Sequence, residues 1–376
     1  MVMRISSAIL RQSGLPKPYA VSRPLTVETV ELAPPGPDEV LVRIAAAGVC
    51  HSDLSAINGD RPRALPVALG HEASGVVEAL GPGVSDLARG DHVVMSFLPV
   101  CGHCAMCAEG RASLCEPGFA ANAAGTLLSG ARRIRCDDVE INHHSGVSAF
   151  SDYVVLSRRS IVKVTEAISL THAALFGCAV MTGVGTVVNT CRVTPGQSVA
   201  IVGLGGVGLS ALLGAVASGA GRVIAVDLMP EKLALATSLG ATDVFLASDP
   251  DVAAEIRATT GGGVNHAIEM AGSAKAFDLA FNITRRGGTT ASAGLANFKA
   301  QFSISPVALV AEERLVRGSY MGSCVPSRDI PRFIDLFLTG KLPVDRLLSS
   351  IGPLSEINEA FDRLDRGAVV RHIITI

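Results

Sequence analysis

From about Gln197 onward, short unbroken apolar runs alternate with longer stretches whose apolar residues recur at helical spacing. Ser198-Val199-Ala200-Ile201-Val202 reads as a strand buried on both faces, 207–218 as a helix and 222–227 as the next strand. A helix over 230–239 follows, with Pro230 in its first turn and Gly240 at its end, then a strand over 243–246 and a helix over 252–259. A strand at 265–270, a helix at 274–283 and a strand at 289–293 close the series. Buried strands alternating with helices predict a doubly wound parallel sheet, an α/β arrangement. The first hundred residues have another texture. Strand-like runs at 39–44, 75–80 and 91–96 are separated by turns such as Pro34-Pro35-Gly36-Pro37, which suggests a β-rich, barrel-like domain. The stretch 115–149 shows no clear period and reads as a long functional or covering loop. Helices at 331–338 and 355–364 and a strand at 369–376 look like the return of the chain to the first domain.

At 376 residues the chain can bury two cores. Apolar residues at 48%, charged residues at 18% and 39 glycines suit buried sheets joined by tight turns. A net charge of -2 provides no basic field for nucleic acid or anionic lipid, so small molecules are the expected partners. The longest uncharged run, 193–221, is too rich in glycine for a membrane span and fits a strand-turn-helix unit. The N-terminus has no signal-like apolar region, and a cytosolic protein is expected. The nine cysteines should then be thiols or metal ligands, not disulfides.

Gly203-Leu204-Gly205-Gly206-Val207-Gly208 fits G-x-G-x-x-G between a strand and a helix, where missing Cβ atoms let backbone N–H groups approach a pyrophosphate. Asp227, ending the next strand, is placed to accept the adenosine ribose hydroxyls and to repel a 2'-phosphate, which favours NAD over NADP. Cys101, Cys104, Cys107 and Cys115 carry the spacing of one tetrahedral ion. A closed structural zinc site is the expectation, with an iron-sulfur cluster as its competitor. Cys50 and His71 read as half of a second site, flanked by Asp53 and Glu72, and Cys178 is the candidate third ligand. Cys136, Cys191, Cys324 and the scattered histidines default to structural roles. The adjacent pair His143-His144 would point apart in a strand and so would not share a metal.

Cys50-His51-Ser52-Asp53, Gly70-His71-Glu72, the four-cysteine lobe, Gly177-Cys178, the glycine turn with Asp227, and Arg371 occur in the order seen in medium-chain, zinc-dependent alcohol dehydrogenases, which the chain resembles over its whole length. The lobe and the phrase from Ile141 to Tyr153 are similar to the longer, liver-type branch. The resemblance implies a GroES-like catalytic domain built from residues 1–183, with its zinc lobe at 101–115, and from 323–376. Between them would lie a Rossmann domain at 184–322. It also implies a homodimer, with a tetramer as the alternative.

The resemblance further implies two zincs per chain, one catalytic on Cys50, His71 and Cys178 and one structural on the lobe. Zinc would polarise an alcohol oxygen while hydride passes to NAD. Asp53 would orient His71, Glu72 would lie behind the metal and Ser52 would accept the alcohol proton. Thr182, Val207 and Lys232 would contact the nicotinamide and adenosine parts, and His51 and Arg371 the pyrophosphate. Phe97 and Leu295 match pocket positions.

The chain departs from that pattern in several places. Ser55 stands where the branch often has a relay histidine, and His51 where it often has arginine. The glutathione-dependent formaldehyde dehydrogenases are the nearest rival, but their acidic residues and arginine at the pocket mouth are replaced by Arg61, Arg63 and Phe119. An apolar primary or aromatic alcohol or aldehyde is therefore expected over hydroxymethylglutathione. The other functional alternatives are a nicotinoprotein with permanently bound NAD and a non-enzymatic NAD or zinc sensor.

Overall fold

The computed structural model describes residues 2–297 and 299–376 and divides into two compact units. One comprises Met1–Cys178, Val325–Leu338 and Asp345–Ile376, and the other Ala179–Cys324 and Thr339–Val344.

In the first unit the strand Glu39–Gly48 is the organising element. It pairs antiparallel with Ala73–Leu80, with Tyr153–Ser157 and with the C-terminal strand Arg371–Thr375, where Ile373 sits opposite Gly48. The sheet continues outward through His92–Met95 and Ile161–Lys163 on one side and Leu348–Pro353 on the other. A second sheet, made of Met3–Leu10, Leu25–Leu32, Ile134–Cys136, Val139–His143 and Val67–Ala68, closes into a small barrel. Val40, Val42 and Ile44 of the central strand join Ile5, Ile9, Phe150 and Phe361 in one continuous core. Branched side chains with little freedom at χ1 pack well on such pleated surfaces.

The second unit holds a six-stranded, all-parallel sheet. Its order is Asp243–Leu246, Arg222–Asp227, Ser198–Val202, Val264–Glu269, Thr284–Ser292 and Leu315–Gly318. Numbered along the chain this is 3-2-1-4-5-6, the order whose reversal beside the first strand opens a crevice for a dinucleotide. The apolar run 193–221 resolves into the strand Ser198–Val202 and the helix Gly206–Ala217. Among the described residues no single helix is long and apolar enough to cross a membrane.

Two expectations are corrected. The stretch after Cys115 is not a bare loop: it forms a helix, Glu116–Ala124, ending at Gly125 in the left-handed region, and then the hairpin Ile134–Cys136 with Val139–His143. The helix expected at 331–338 starts earlier, running Pro326–Leu338 with Pro331 inside. Proline lacks the N–H that would reach back one turn, but only one bond is lost near the helix start. Asp329 compensates by accepting from the Val325 N–H (2.9 Å), and Ile330, Phe333 and Ile334 bury the inner face.

Candidate metal centre and dinucleotide cradle

Cys50 follows the central strand of the first unit and caps the helix His51–Ile57. His71 follows Gly70, whose φ of +93° and whose missing Cβ, which would fall 2.5 Å from the Phe150 nitrogen, both demand glycine. Cys178 lies where the turn Leu175–Gly177 gives way to the helix Ala179–Gly185. Gly177 is needed there because a Cβ would meet the Met95 carbonyl oxygen at 2.5 Å. These three backbones bring one thiol, one imidazole nitrogen and a second thiol within 4.8 Å of one another, all buried.

The chemistry of the set fits a soft divalent cation. Hydrogen-bonded by Cys178 and close to His71 and Arg371, the Cys50 thiol is held well below its ordinary pKa, while Cys178, as its partner, is held well above. The pair therefore shares negative charge in a buried place, which a metal would neutralise. His71 Nε2 is buried without a hydrogen-bond partner in the protein, as an unmetallated ligand nitrogen would be. Three ligands of the Cys₂His type leave a fourth tetrahedral position for a substrate oxygen.

Two buried carboxylates stand behind these donors. Asp53, fully buried, has Oδ2 3.0 Å from His71 Nδ1 and Oδ1 2.9 Å from His144 Nδ1, and Oδ1 also accepts from the Gly70 N–H (3.1 Å). Both rings meet the carboxylate off the ideal N–H direction. Burial alone would raise the Asp53 pKa, but His71 and His144 outweigh it and hold Asp53 ionised. Burial likewise opposes charge on His71, yet Asp53 and Cys50 raise its pKa well above the ordinary value. The Glu72 carboxylate pairs with the Arg371 guanidinium, both buried. Burial pushes Glu72 up to about 7 even though Arg371 pulls the other way. Gly48 leaves room for this pair, since a Cβ there would fall 2.4 Å from Glu72 Oε1.

Ser52 and His51 occupy the first turn of the same helix, with His51 exposed. Ser55 directs its hydroxyl to the His51 carbonyl (2.8 Å). Phe97 presents its ring edge-on to His71, with centroids 5.8 Å apart. His144 does the same from another side at 5.4 Å, and it also lines a cavity of about 240 Å³ together with Arg63 and Asn122. His144 is the residue that spacing did not pick out. The pair does diverge, His143 accepting from the Arg133 N–H (3.1 Å) and lying 3.3 Å from Ser148 Oγ, but only the tertiary fold shows that the second ring reaches Asp53.

Cys101, Cys104, Cys107 and Cys115 gather within 4.8 Å of one another. The Cys101 N–H donates to Cys115 Sγ (3.2 Å) and the Cys104 N–H to Cys101 Sγ (3.4 Å), the environment thiolates need. Backbone donation near Cys107 lowers Cys104 to about 6, while burial pushes Cys107 up to about 12. With no position left open, such a site suits a structural ion.

In the second unit the glycine turn separates fold from function. Gly203 has φ of +97°, and a Cβ on Gly208 would sit 1.9 Å from the Gly203 carbonyl oxygen, so both glycines serve the turn itself. Gly205, the N-cap of the helix Gly206–Ala217, has φ of -75°, and nothing lies within 4 Å of where its Cβ would be. That open side of a helix N-terminus fits an anionic ligand. Asp227 is oriented by the backbone, accepting from the Leu204 N–H (2.6 Å) and the Met229 N–H (3.0 Å). Gly206 and Val207 begin the helix and Lys232 lies in the next, Pro230–Ser238. Thr182 is buried in Ala179–Gly185 with its carbonyl accepting from Thr186 Oγ1 (2.7 Å), and Leu295 is about half exposed.

Comparison with known proteins agrees with this geometry. The family model described as the alcohol dehydrogenase GroES-like domain matches residues 36–166, and that described as zinc-binding dehydrogenase matches 206–339. The chain is similar to an alcohol dehydrogenase class-3 of Drosophila melanogaster, 35% identical over 95% of each chain. It is also similar to an S-(hydroxymethyl)glutathione dehydrogenase of Synechocystis sp., 35% identical over 95% of this chain and 97% of the relative. Among solved structures, the benzyl alcohol dehydrogenase of Acinetobacter calcoaceticus superposes with a TM-score of 0.92 at 33% identity, covering 100% of this chain and 99% of the other. Cys50, His71 and the four-cysteine lobe fall within the first matched domain and the helix that follows the glycine turn opens the second, and the chain belongs to the medium-chain, zinc-containing alcohol dehydrogenase family, whose cofactors are zinc and a nicotinamide dinucleotide.

Proposed function

We propose that the chain is an NAD-linked alcohol dehydrogenase interconverting a primary or aromatic alcohol and its aldehyde. The observation that carries this reading is the three-donor set of Cys50, His71 and Cys178, which would hold a cation and leave one position free, in a chain that also presents an open glycine cradle. Zinc, when bound there, supplies Lewis-acid polarisation of the substrate oxygen. Asp53 holds the His71 ring so that Nε2 faces the metal, and Ser52 takes the hydroxyl proton. Beyond Ser52 the proton leaves to water, because the Ser55 hydroxyl is engaged with the His51 carbonyl and no imidazole stands at that position. Asp227 receives the adenosine ribose and, by its charge, selects against a 2'-phosphate. His51 and Arg371 bind the pyrophosphate, Thr182, Val207 and Lys232 contact the rest of the cofactor, and Phe97 and Leu295 line an apolar pocket. Glu72, paired with Arg371, would serve as an alternative ligand. Exposed Val307, Val310, Leu315 and Val316, around the edge strand Leu315–Gly318, support a homodimer, which sedimentation would test.

A second reading, oxidation of S-(hydroxymethyl)glutathione, is favoured by the names of two relatives, those of Synechocystis sp. and Schizosaccharomyces pombe. Against it stand Arg61, Arg63 and Phe119, which reverse the charge of that branch's pocket mouth, while the benzyl alcohol dehydrogenase likeness supports an aromatic substrate. The test is NADH formation from benzyl alcohol, short and long primary alcohols, and formaldehyde with glutathione, with zinc measured on the same sample. Turnover on the glutathione adduct alone overturns the apolar-substrate reading. Turnover requiring a second substrate, with NAD retained through gel filtration, would instead identify a nicotinoprotein.

A further inference from the structure

We propose that His144 is a positioning residue of the metal centre, pinning one oxygen of the Asp53 carboxylate so that the other is held against His71. The inference rests on Cys50, His71 and Cys178 being zinc ligands. Asp53 is fully buried and sits between two imidazoles, Oδ2 3.0 Å from His71 Nδ1 and Oδ1 2.9 Å from His144 Nδ1. A carboxylate tied at one oxygen only can turn about its last bond. Here Oδ1 lies against both the Gly70 N–H (3.1 Å) and His144 Nδ1 (2.9 Å) while Oδ2 lies against His71 Nδ1 (3.0 Å), so the carboxylate is held at both ends and His144 helps fix which oxygen is offered to His71. Each ring turns Nδ1 toward the carboxylate, and His71 is left with Nε2 for the metal.

His144 is itself buried and tethered by its backbone. Its backbone N–H donates to the Ala68 carbonyl (3.2 Å) and lies 3.2 Å from Ser148 Oγ, and its ring stands edge-on to His71 at 83°. Partners that orient ligand histidines in this way change metal affinity by about 10- to 100-fold when removed.

The test compares wild type, His144→Leu, His144→Asn (which keeps an N–H near the Nδ1 position) and both changes in an Asp53→Asn background. Zinc loss to a chelator is timed for each site, the two sites being told apart by cobalt substitution, because a two-thiolate, one-imidazole centre and a four-thiolate centre absorb differently. His144→Leu should release the Cys50–His71–Cys178 metal about 10- to 100-fold faster, with a shifted cobalt spectrum and unchanged loss from the lobe. His144→Asn should recover most of that loss, and His144→Leu should add little once Asp53 is Asn. Unchanged release from His144→Leu, equal acceleration at both sites, or Asn behaving like Leu would overturn the role of His144. A third zinc lost in both variants would also overturn it, making Asp53, His71 and His144 ligands themselves. A wild-type chain with zinc in the lobe alone would sink the ligand reading, and this inference with it.

Discussion

Alanine at position 205 separates the needs of the fold from those of the cofactor. Gly205 has φ of -75° and ψ of -173°, which any residue adopts, and its added Cβ would meet nothing within 4 Å. The substitution therefore introduces no clash, and the gain of about 0.4–1 kcal/mol from restricting the unfolded chain is offset by alanine being a poorer N-cap than glycine, so stability should change by less than about 1 kcal/mol. Gly208→Ala is the control. Its Cβ would lie 1.9 Å from the Gly203 carbonyl oxygen, a backbone atom in a turn with little room to shift, so a loss of about 1–3 kcal/mol is expected. The open side of Gly205 is where the pyrophosphate would approach the helix N-terminus. A methyl group there should weaken NADH at least ~10-fold, about 1.4 kcal/mol. Urea unfolding at constant m-value and fluorescence titration with NADH measure the two effects on the same samples. Wild-type NADH affinity in Gly205→Ala would refute the placement of the cofactor. Destabilisation of Gly205→Ala to the level of Gly208→Ala would refute the geometric reasoning behind both.

Three further outcomes are expected. Asp227→Ser removes the charge that would face the ribose and should raise the NADP-to-NAD ratio of kcat/KM at least ~10-fold in steady-state kinetics. A modest stability loss should accompany it, because the carboxylate also accepts from the Leu204 and Met229 N–H groups. Arg371→Leu strips the buried Glu72 of its counter-charge, and because burial already pushes that carboxyl up it should take a proton, so a loss of about 1–3 kcal/mol for an unpaired buried carboxyl is expected in urea unfolding. Burial first, and then Arg132 and Arg133, push His143 down to about 3 from 6.5. Because the folded value lies below the unfolded one, its contribution to stability is complete above pH 6.5 and is lost as pH falls toward 3. The slope is about 1.4 kcal/mol per pH unit, so wild type should lose about 2 kcal/mol more than His143→Gln between pH 6.5 and 5. Parallel unfolding curves for the two proteins would show that His143 is protonated in the folded chain.

The parts of the molecule that were legible in the sequence are those whose determinants lie close together along the chain. The helices Val252–Thr259 and Ala274–Ile283 have the expected bounds because periodicity and their flanking glycines and polar caps are local signals. Likewise the four cysteines from Cys101 to Cys115 announce a single ion because one short loop carries all of them. Pro331 misled for the converse reason: a helix-start signal was overridden by the buried face of Ile330, Phe333 and Ile334 and by Asp329 tying back to Val325. The remainder of the site depends on register. Alternation along a strand says that His143 and His144 diverge, yet it cannot say which of them meets Asp53, a choice made when Val139–His143 pairs with Ile134–Cys136 and with Val67–Ala68. Glu72 shows the same limit. Beside His71 in the sequence it reads as a spare ligand, and its partner becomes visible only because the last strand lies against Glu39–Gly48 with Ile373 opposite Gly48, which sets Arg371 beside Glu72 at a position where only glycine leaves room. Burial pushes the Glu72 carboxyl up while Arg371 pulls it down, so the C-terminal strand, by setting that arginine in place, acts on the charge of a group next to His71.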